Sequence, residues 1–203
     1  MFPFDVILFD VGGVLLTNGW GTCERTQVLE SFNLDKAEFE KRHPVPNDSW
    51  ERDAISAEAY LEETVFYEPR SFAMDDFIAA ICSQSVELPN GALGILKEIA
   101  AAGRAMVGCL NNEARLPNEY RFRQFGLRQY FEVALSSCYL GIRKPKVAIY
   151  QRALDILGRP AKRVLFIDDR PENVAGAAKV GMKAIRFTGA DALRQELEYL
   201  TVL

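Results

Sequence analysis

The chain has 203 residues, 49% of them hydrophobic and 26% charged, with a net charge of −4. That length suits one large domain or a core carrying a smaller insertion, and the acidic balance argues against a nucleic-acid-binding surface. No apolar stretch approaches about 18 residues and the start, MFPFDV, lacks basic residues, so neither a membrane span nor a secretory leader is expected.

The first element is an apolar run, Phe4–Asp10 (FDVILFD), which ends in a carboxylate and enters the turn VGGVL. From Thr17 to about Leu88 the pattern changes to amphipathic helical segments without a convincing strand. Asp35 and Glu38 resemble a capping box, and Pro44 would stop that helix. Ser56 caps SAEAYLEETVFY. SFAMDDFIAAICSQ carries a helical apolar stripe at Phe72, Phe77, Ile78, Ile81 and Cys82.

From Pro89 the chain alternates between strands and helices. Leu93, Leu96 and Ile99 mark a helix closed by Gly103. The strand RAMVGCL follows, then a short helix near Pro117–Gln124 and the strand FEVALSS. A helix is expected from Pro145 to Gly158. The strand RVLFID, a helix from Pro171 to Lys179, the strand KAIRF and the helix ADALRQELEYL complete the chain. Apolar strands alternating with helices imply a parallel sheet covered on both faces. The expected fold is therefore α/β: a doubly wound, Rossmann-like, five-stranded parallel sheet with an inserted α-helical cap. Residues 1–16 and 89–203 would form the core, and residues 17–88 the cap. In such a sheet the ligand site lies beyond the C-terminal strand ends, at the switch point.

Asp10, Asn111 and Asp168-Asp169 all fall at C-terminal strand ends. Acidic strand ends placed side by side make a pocket that needs a cation, which suggests Mg²⁺ and an activated aspartate. Four cysteines, Cys23, Cys82, Cys109 and Cys138, are scattered without a zinc spacing. They read as reduced and mostly buried thiols, which favours a cytoplasmic protein.

Four clusters belong together: Asp10-Val11-Gly12-Gly13-Val14, Leu110-Asn111-Asn112, Gly141-Ile142-Arg143-Lys144-Pro145, and Asp168-Asp169 with Asn173. In this order and on these elements, the chain resembles the haloacid dehalogenase-like superfamily of phosphatases, subfamily I. The insertion after the first motif is similar to that group's small helical cap. The resemblance spans nearly the whole chain. It is nearest the branch of the sugar-1-phosphate phosphatases and the phosphatase domain of soluble epoxide hydrolases.

The resemblance implies an Mg²⁺-dependent phosphatase acting on a small phosphorylated metabolite, such as a sugar phosphate. Asp10 would be the nucleophile that becomes an aspartyl phosphate, and Asp169 a direct Mg²⁺ ligand. Asp168 would be a closely associated ligand, and Gly12 would offer its backbone carbonyl. Lys144 and Asn111 would act on the transferring phosphoryl group, with Gly12, Gly13 and Asn112 completing a phosphate cradle. The partner would be a small-molecule phosphate ester, with no nucleic acid and no membrane, and the chain a monomer or a homodimer.

The chain departs from the family pattern at two positions. Gly12 stands where the family's phosphatases carry the general acid–base aspartate, and glycine cannot transfer a proton. Asn111 replaces a Ser or Thr, though its amide can donate in the same direction. A substitute acid–base is then expected. Glu113 and His43 are candidates, although Glu113 also reads as a solvated loop carboxylate and His43 as an exposed helix end. Trp20, Trp50, Arg52 and Tyr60 could meet an organic leaving group, while the aromatics also read as cap core. Arg115, Arg121, Arg123 and Arg128 read as a solvated helix face, with a phosphate-recruiting rim as the second reading.

Two other readings stay open. A 2-haloacid dehalogenase also uses an aspartate but has no paired acids and needs no metal. A catalytically feeble domain that binds phosphate-bearing ligands or a partner would fit Gly12 and Asn111.

Overall fold

The computed structural model describes residues 2–203. Five strands form one parallel sheet: β1 (Val6–Phe9), β2 (Met106–Cys109), β3 (Val133–Ala134), β4 (Val164–Asp168) and β5 (Lys183–Arg186). Their spatial order is β3-β2-β1-β4-β5. The chain winds outward from β1 to β3, then returns to pair β4 on the other side of β1. The switch point therefore lies where β1 and β4 end side by side, with Phe9 paired to Ile167.

The two-residue alternation of a strand explains the two-sided core. Ile7, Phe9, Leu165 and Ile167 face one apolar cluster, together with Leu96 of α6 (Leu93–Ala102) and Leu197 of α11 (Ala190–Tyr199). Val6, Leu8, Val164 and Phe166 face the other, against Tyr150 of α9 (Val147–Leu157) and Ala177 of α10 (Pro171–Lys179). A strand buried on both faces has no polar position until it ends. That is why β1 and β4 read as unbroken apolar runs stopped by aspartates.

The segment between β1 and α6 is helical: α1 (Thr22–Ser31), α2 (Lys36–Arg42), α3 (Pro44–Glu51), α4 (Ala57–Thr64) and α5 (Met74–Ser83). It has its own apolar cluster, centred on Trp20, Phe39, Trp50, Tyr60 and Phe77. The chain leaves and re-enters the sheet domain by two adjacent segments. Thr17 N–H donates to Val86 C=O at 2.9 Å, and Leu88 N–H to Leu15 C=O at 3.1 Å.

The elements differ from the sequence expectation at three places. Pro44 does stop α2, but it also opens α3 as its first residue, where its missing N–H costs nothing. The helix expected from Pro145 starts at Val147, because Arg143–Lys146 form a turn closed by Lys146 N–H on Arg143 C=O at 3.1 Å. The strand expected over FEVALSS is confined to Val133–Ala134; Ser136 already precedes the short helix α8 (Ser137–Leu140).

Candidate active site

Above the ends of β1 and β4 lies a cavity of about 400 Å³ between the sheet and the helical insertion. Asp10, Gly12, Asn112, Glu113, Lys144 and Asp169 line it from the sheet side. Asn18, Trp20, Arg25, Asn47 and Glu51 line it from the other side.

At the floor, Lys144 Nζ lies 2.9 Å from Asp10 Oδ1 and 2.6 Å from Asp168 Oδ2, and it donates to Leu110 C=O at 2.9 Å. Lys144 is only 4% exposed. Although burial works against its charge, Asp10 and Asp168 raise its pKa above the ordinary lysine value. Its backbone is clamped by Asn112, whose Oδ1 accepts from Lys144 N–H at 2.8 Å and whose Nδ2 donates to Lys144 C=O at 2.9 Å. The side chain of Asn112 is thus committed to holding Lys144, while the residue still lines the cavity.

Asp168 is fully buried and its oxygens are already served. They accept from Arg170 N–H at 2.9 Å, from Asn173 Nδ2 at 3.0 and 3.1 Å, and from Lys144. Asp169 differs: its Oδ1 is buried and has no hydrogen-bond partner among the described residues. Burial and the adjacent Asp168 push the Asp169 carboxyl above its usual range. Asp10 is pushed to about 8, by burial first, with Asp168 and Asp169 adding to it against the pull of Lys144.

Oxygens of Asp10, Asp168 and Asp169 all lie within 4.8 Å of one another. An all-carboxylate set with one orphaned oxygen and a carboxyl driven toward protonation fits a hard divalent cation such as Mg²⁺. Gly13 makes room for this arrangement. Its φ is +75°, and a Cβ there would stand 2.5 Å from Asp169 Oδ2.

Asn111 does not line the cavity. It is buried, its Nδ2 donates to Asn118 Oδ1 at 2.9 Å, and its Oδ1 accepts from Ser136 Oγ at 2.8 Å. The expected donation toward the cavity is replaced by a link between α7 (Arg115–Gln124) and the end of β3.

Glu113 and Arg121 are neither a solvated loop carboxylate nor a solvated helix face. They are 5% and 1% exposed, and Arg121 Nη1 meets Glu113 Oε2 at 2.7 Å. Both line the cavity. Of the remaining arginines in that set, Arg115 pairs with Asp53 at 2.5 Å, which ties α7 to the insertion. The positional signal for Arg121 was present, one turn from Asn118 on the face of α7 that turns inward, but a run of arginines masked it.

His43 is buried, not an exposed helix end, and it lies outside the cavity lining. Trp20 Nε1–H donates to Tyr60 Oη at 2.8 Å, and His43 Nδ1 shares a hydrogen bond with the same hydroxyl at 2.8 Å. Burial, with Arg25 and Arg143 nearby, holds His43 down at about 3, so the imidazole is neutral. Its place outside the cavity removes it as the substitute acid–base.

Tyr60 is fully buried and stacks on Trp50 at 4.3 Å, so both are cap core and neither lines this cavity. Arg52 pairs with Asp48 at 2.8 Å and stays outside it too. Of the four expected leaving-group contacts only Trp20 borders the cavity. Residues not singled out from the sequence supply the rest: Arg25, Asn47 and Glu51, with Arg143 pairing to Glu51 at 2.7 Å across the two parts.

Comparison with known proteins places the chain in a class. Residues 4–181 match the model of the haloacid dehalogenase-like hydrolases, and the chain belongs to that family. It is 27% identical to the sesquiterpene phosphatase astK of Aspergillus oryzae, over 97% of this chain and 96% of the relative. It is 28% identical to flavin mononucleotide hydrolase 1 of Arabidopsis thaliana, over 97% and 78% of the two chains. In three dimensions it resembles a HAD family enzyme of Bacteroides thetaiotaomicron, with a TM-score of 0.82 at 18% identity over 96% and 98% of the chains. The same enzyme in complex with magnesium and inorganic phosphate superposes with a TM-score of 0.72 at 20% identity, over 92% and 95%. No helix among the described residues is long and apolar enough to cross a membrane.

Proposed function

We propose that this hydrolase is an Mg²⁺-dependent phosphatase that cleaves small, polar, hydroxyl-bearing phosphate monoesters such as sugar phosphates. The observation that carries this reading is the cluster of Asp10, Lys144 and Asp169 at one strand-end floor, with a buried Asp169 oxygen that lacks a partner. Asp10 is the nucleophile. Its Oδ1 is engaged by Lys144 and by Val11 N–H at 2.8 Å, which leaves Oδ2 to attack phosphorus and form an aspartyl phosphate. Lys144 holds the aspartate in place and faces the negative charge of the transferring phosphoryl group. Asp10, Asp169, the Gly12 carbonyl and less directly Asp168 would hold Mg²⁺, which when bound would supply positive charge to offset that of the phosphoryl group. A 2-haloacid dehalogenase would leave the Asp169 oxygen unserved.

The cavity supports the substrate class. At about 400 Å³ it is small for a ligand site. Among the described residues Trp20 is the only aromatic one lining it, and Asn47 Oδ1 is buried without a donor. An orphaned acceptor opposite a phosphate site suits a substrate hydroxyl. An isoprenoid chain offers none. Residues 17–88 act in this reading as the selecting cap, and the three buried free thiols suit a cytosolic setting.

The test is phosphate release from a panel containing hexose 1- and 6-phosphates, flavin mononucleotide and farnesyl phosphate. The reading predicts the highest kcat/KM on a sugar phosphate; a preference for farnesyl phosphate contradicts the substrate class. Ligand-induced stabilisation without turnover of any ester would instead mark a binding domain.

A further inference from the structure

Gly12 removes a proton-transfer group from the nucleophile loop, yet the space beside it is occupied by another ionisable pair. A Cβ on Gly12 would lie 3.5 Å from Arg121 Nη1, and one on Gly19 would collide with Arg121 Nη2. Gly19 thus makes room for the guanidinium, and position 12 borders it at ordinary van der Waals distance. Arg121 is fixed there by three contacts: Nε donates to Ser85 Oγ at 2.9 Å, Nη2 to Thr17 C=O at 3.2 Å, and Nη1 faces Glu113 Oε2 at 2.7 Å. The Glu113 carboxylate therefore stands no more than about two hydrogen-bond lengths from where a Cβ at position 12 would be, on the wall of the cavity that holds Asp10.

We propose that Glu113 is the general acid–base of this phosphatase, in place of the carboxylate that position 12 lacks, and that Arg121 positions it. The proposal rests on the phosphatase reading above. Glu113 Oε1 accepts from Ala114 N–H at 3.2 Å and Oε2 faces Arg121, so each oxygen keeps a lone pair for a proton. The titratable and charged groups around it are Arg121, Glu51 and Arg143, with the Cys82 and Cys138 thiols also within its field. Burial drives its carboxyl up to about 7 against the pull of Arg121, with Glu51 raising it and Arg143 lowering it. A group poised there carries a proton in one half-reaction and accepts one in the next.

In the first step Asp10 Oδ2 bonds to phosphorus, the bond from phosphorus to the ester oxygen breaks, and that oxygen takes the proton of Glu113 to leave as an alcohol. In the second, water bonds to phosphorus while its proton passes to the Glu113 carboxylate. The bond from phosphorus to Asp10 then breaks, releasing inorganic phosphate and restoring both side chains.

Leaving-group dependence tests this directly. A sugar phosphate leaves as an alkoxide and needs the proton, whereas p-nitrophenyl phosphate leaves as a stable phenolate. Glu113→Gln is expected to lower kcat/KM for the sugar phosphate by about 10²–10⁴-fold and to lower it far less for the aryl ester. With the aryl ester it should also show a burst of nitrophenol stoichiometric with enzyme, because the aspartyl phosphate then waits for unassisted water. Equal losses on both esters, without a burst, overturn the proposal. Should Glu113→Gln fail to fold, the wild type still decides. Its sugar-phosphate kcat/KM must fall on the alkaline side of about 7 while the aryl value does not, and a shared limb overturns the assignment. Arg121→Gln removes a charge that favours the carboxylate, so it must move that limb to higher pH; an unmoved limb contradicts the positioning role. A wild type that turns over neither ester removes the phosphatase reading itself, while an active wild type with an indifferent Glu113→Gln removes only this inference.

Discussion

Gly13 and Asp169 are in mutual contact across the site: a single added methyl on Gly13 would press within 2.5 Å of Asp169 Oδ2. The oxygen displaced belongs to the carboxylate whose other oxygen is the unserved acceptor of the acidic cluster. The left-handed φ of +75° adds roughly 1–2 kcal/mol of backbone strain for any residue with a Cβ. Gly13→Ala is therefore expected to weaken Mg²⁺ binding by at least about tenfold, or about 1.4 kcal/mol. Calorimetric titration with Mg²⁺ measures this, and an unchanged affinity contradicts the assigned role of Asp169.

Lys144 neutralises two buried carboxylates at once. Removing one partner of a buried ion pair typically costs about 3–5 kcal/mol, so Lys144→Met is expected to unfold at a markedly lower urea concentration and to lose turnover. Because Mg²⁺ binds only the native cluster, it should restore part of that stability by mass action. Urea midpoints with and without Mg²⁺ check both statements. A variant as stable as the wild type contradicts them.

Asn47 offers a buried oxygen to the cavity that no described residue serves. Replacing it with leucine removes a hydrogen bond worth about 1 kcal/mol, so KM for a sugar phosphate should rise roughly five- to tenfold with little change in kcat. Steady-state kinetics gives the split. A fall in kcat at constant KM contradicts the placement of the substrate hydroxyls.

His43 is the single histidine of the chain, and its neutral form is built into the cap core. Its folded pKa of about 3 lies below the unfolded value of 6.5. As pH falls through 6.5 the unfolded chain therefore binds the proton first, and stability is lost progressively toward pH 3. Between about pH 7 and pH 5 the loss is about 2 kcal/mol. His43→Gln should flatten this slope while keeping a partner for Tyr60. Urea midpoints at the two pH values measure it; parallel slopes in wild type and variant contradict the buried neutral ring.

The sheet and its floor were readable because they depend on short-range signals. Strands buried on both faces give unbroken apolar runs, and their ends at Asp10 and Asp168-Asp169 stand out against them. The turn glycines follow from their position after Asp10, and Lys144 from the Gly141–Pro145 cluster ahead of α9. The wall of the cavity was not readable in the same way. Glu113 and Arg121 look like ordinary loop and helix charges until the connecting segments bring Thr17 and Ser85 against the guanidinium. Asn111 looked like a phosphate donor until Asn118 and Ser136 claimed its amide. Tyr60 and Trp50 could have served cavity or core equally well in sequence, and only the stacking of helices α3 and α4 decides for the core.

The central claim is that Asp10 attacks phosphorus with a divalent cation in place. Its most direct test is phosphate release from the best sugar phosphate by wild type in Mg²⁺, by wild type in EDTA, and by Asp10→Asn in Mg²⁺. The account predicts turnover in the first and its loss in the other two, with Asp10→Asn still folded by thermal melting. Turnover that survives either EDTA or the loss of the Asp10 carboxylate would contradict it.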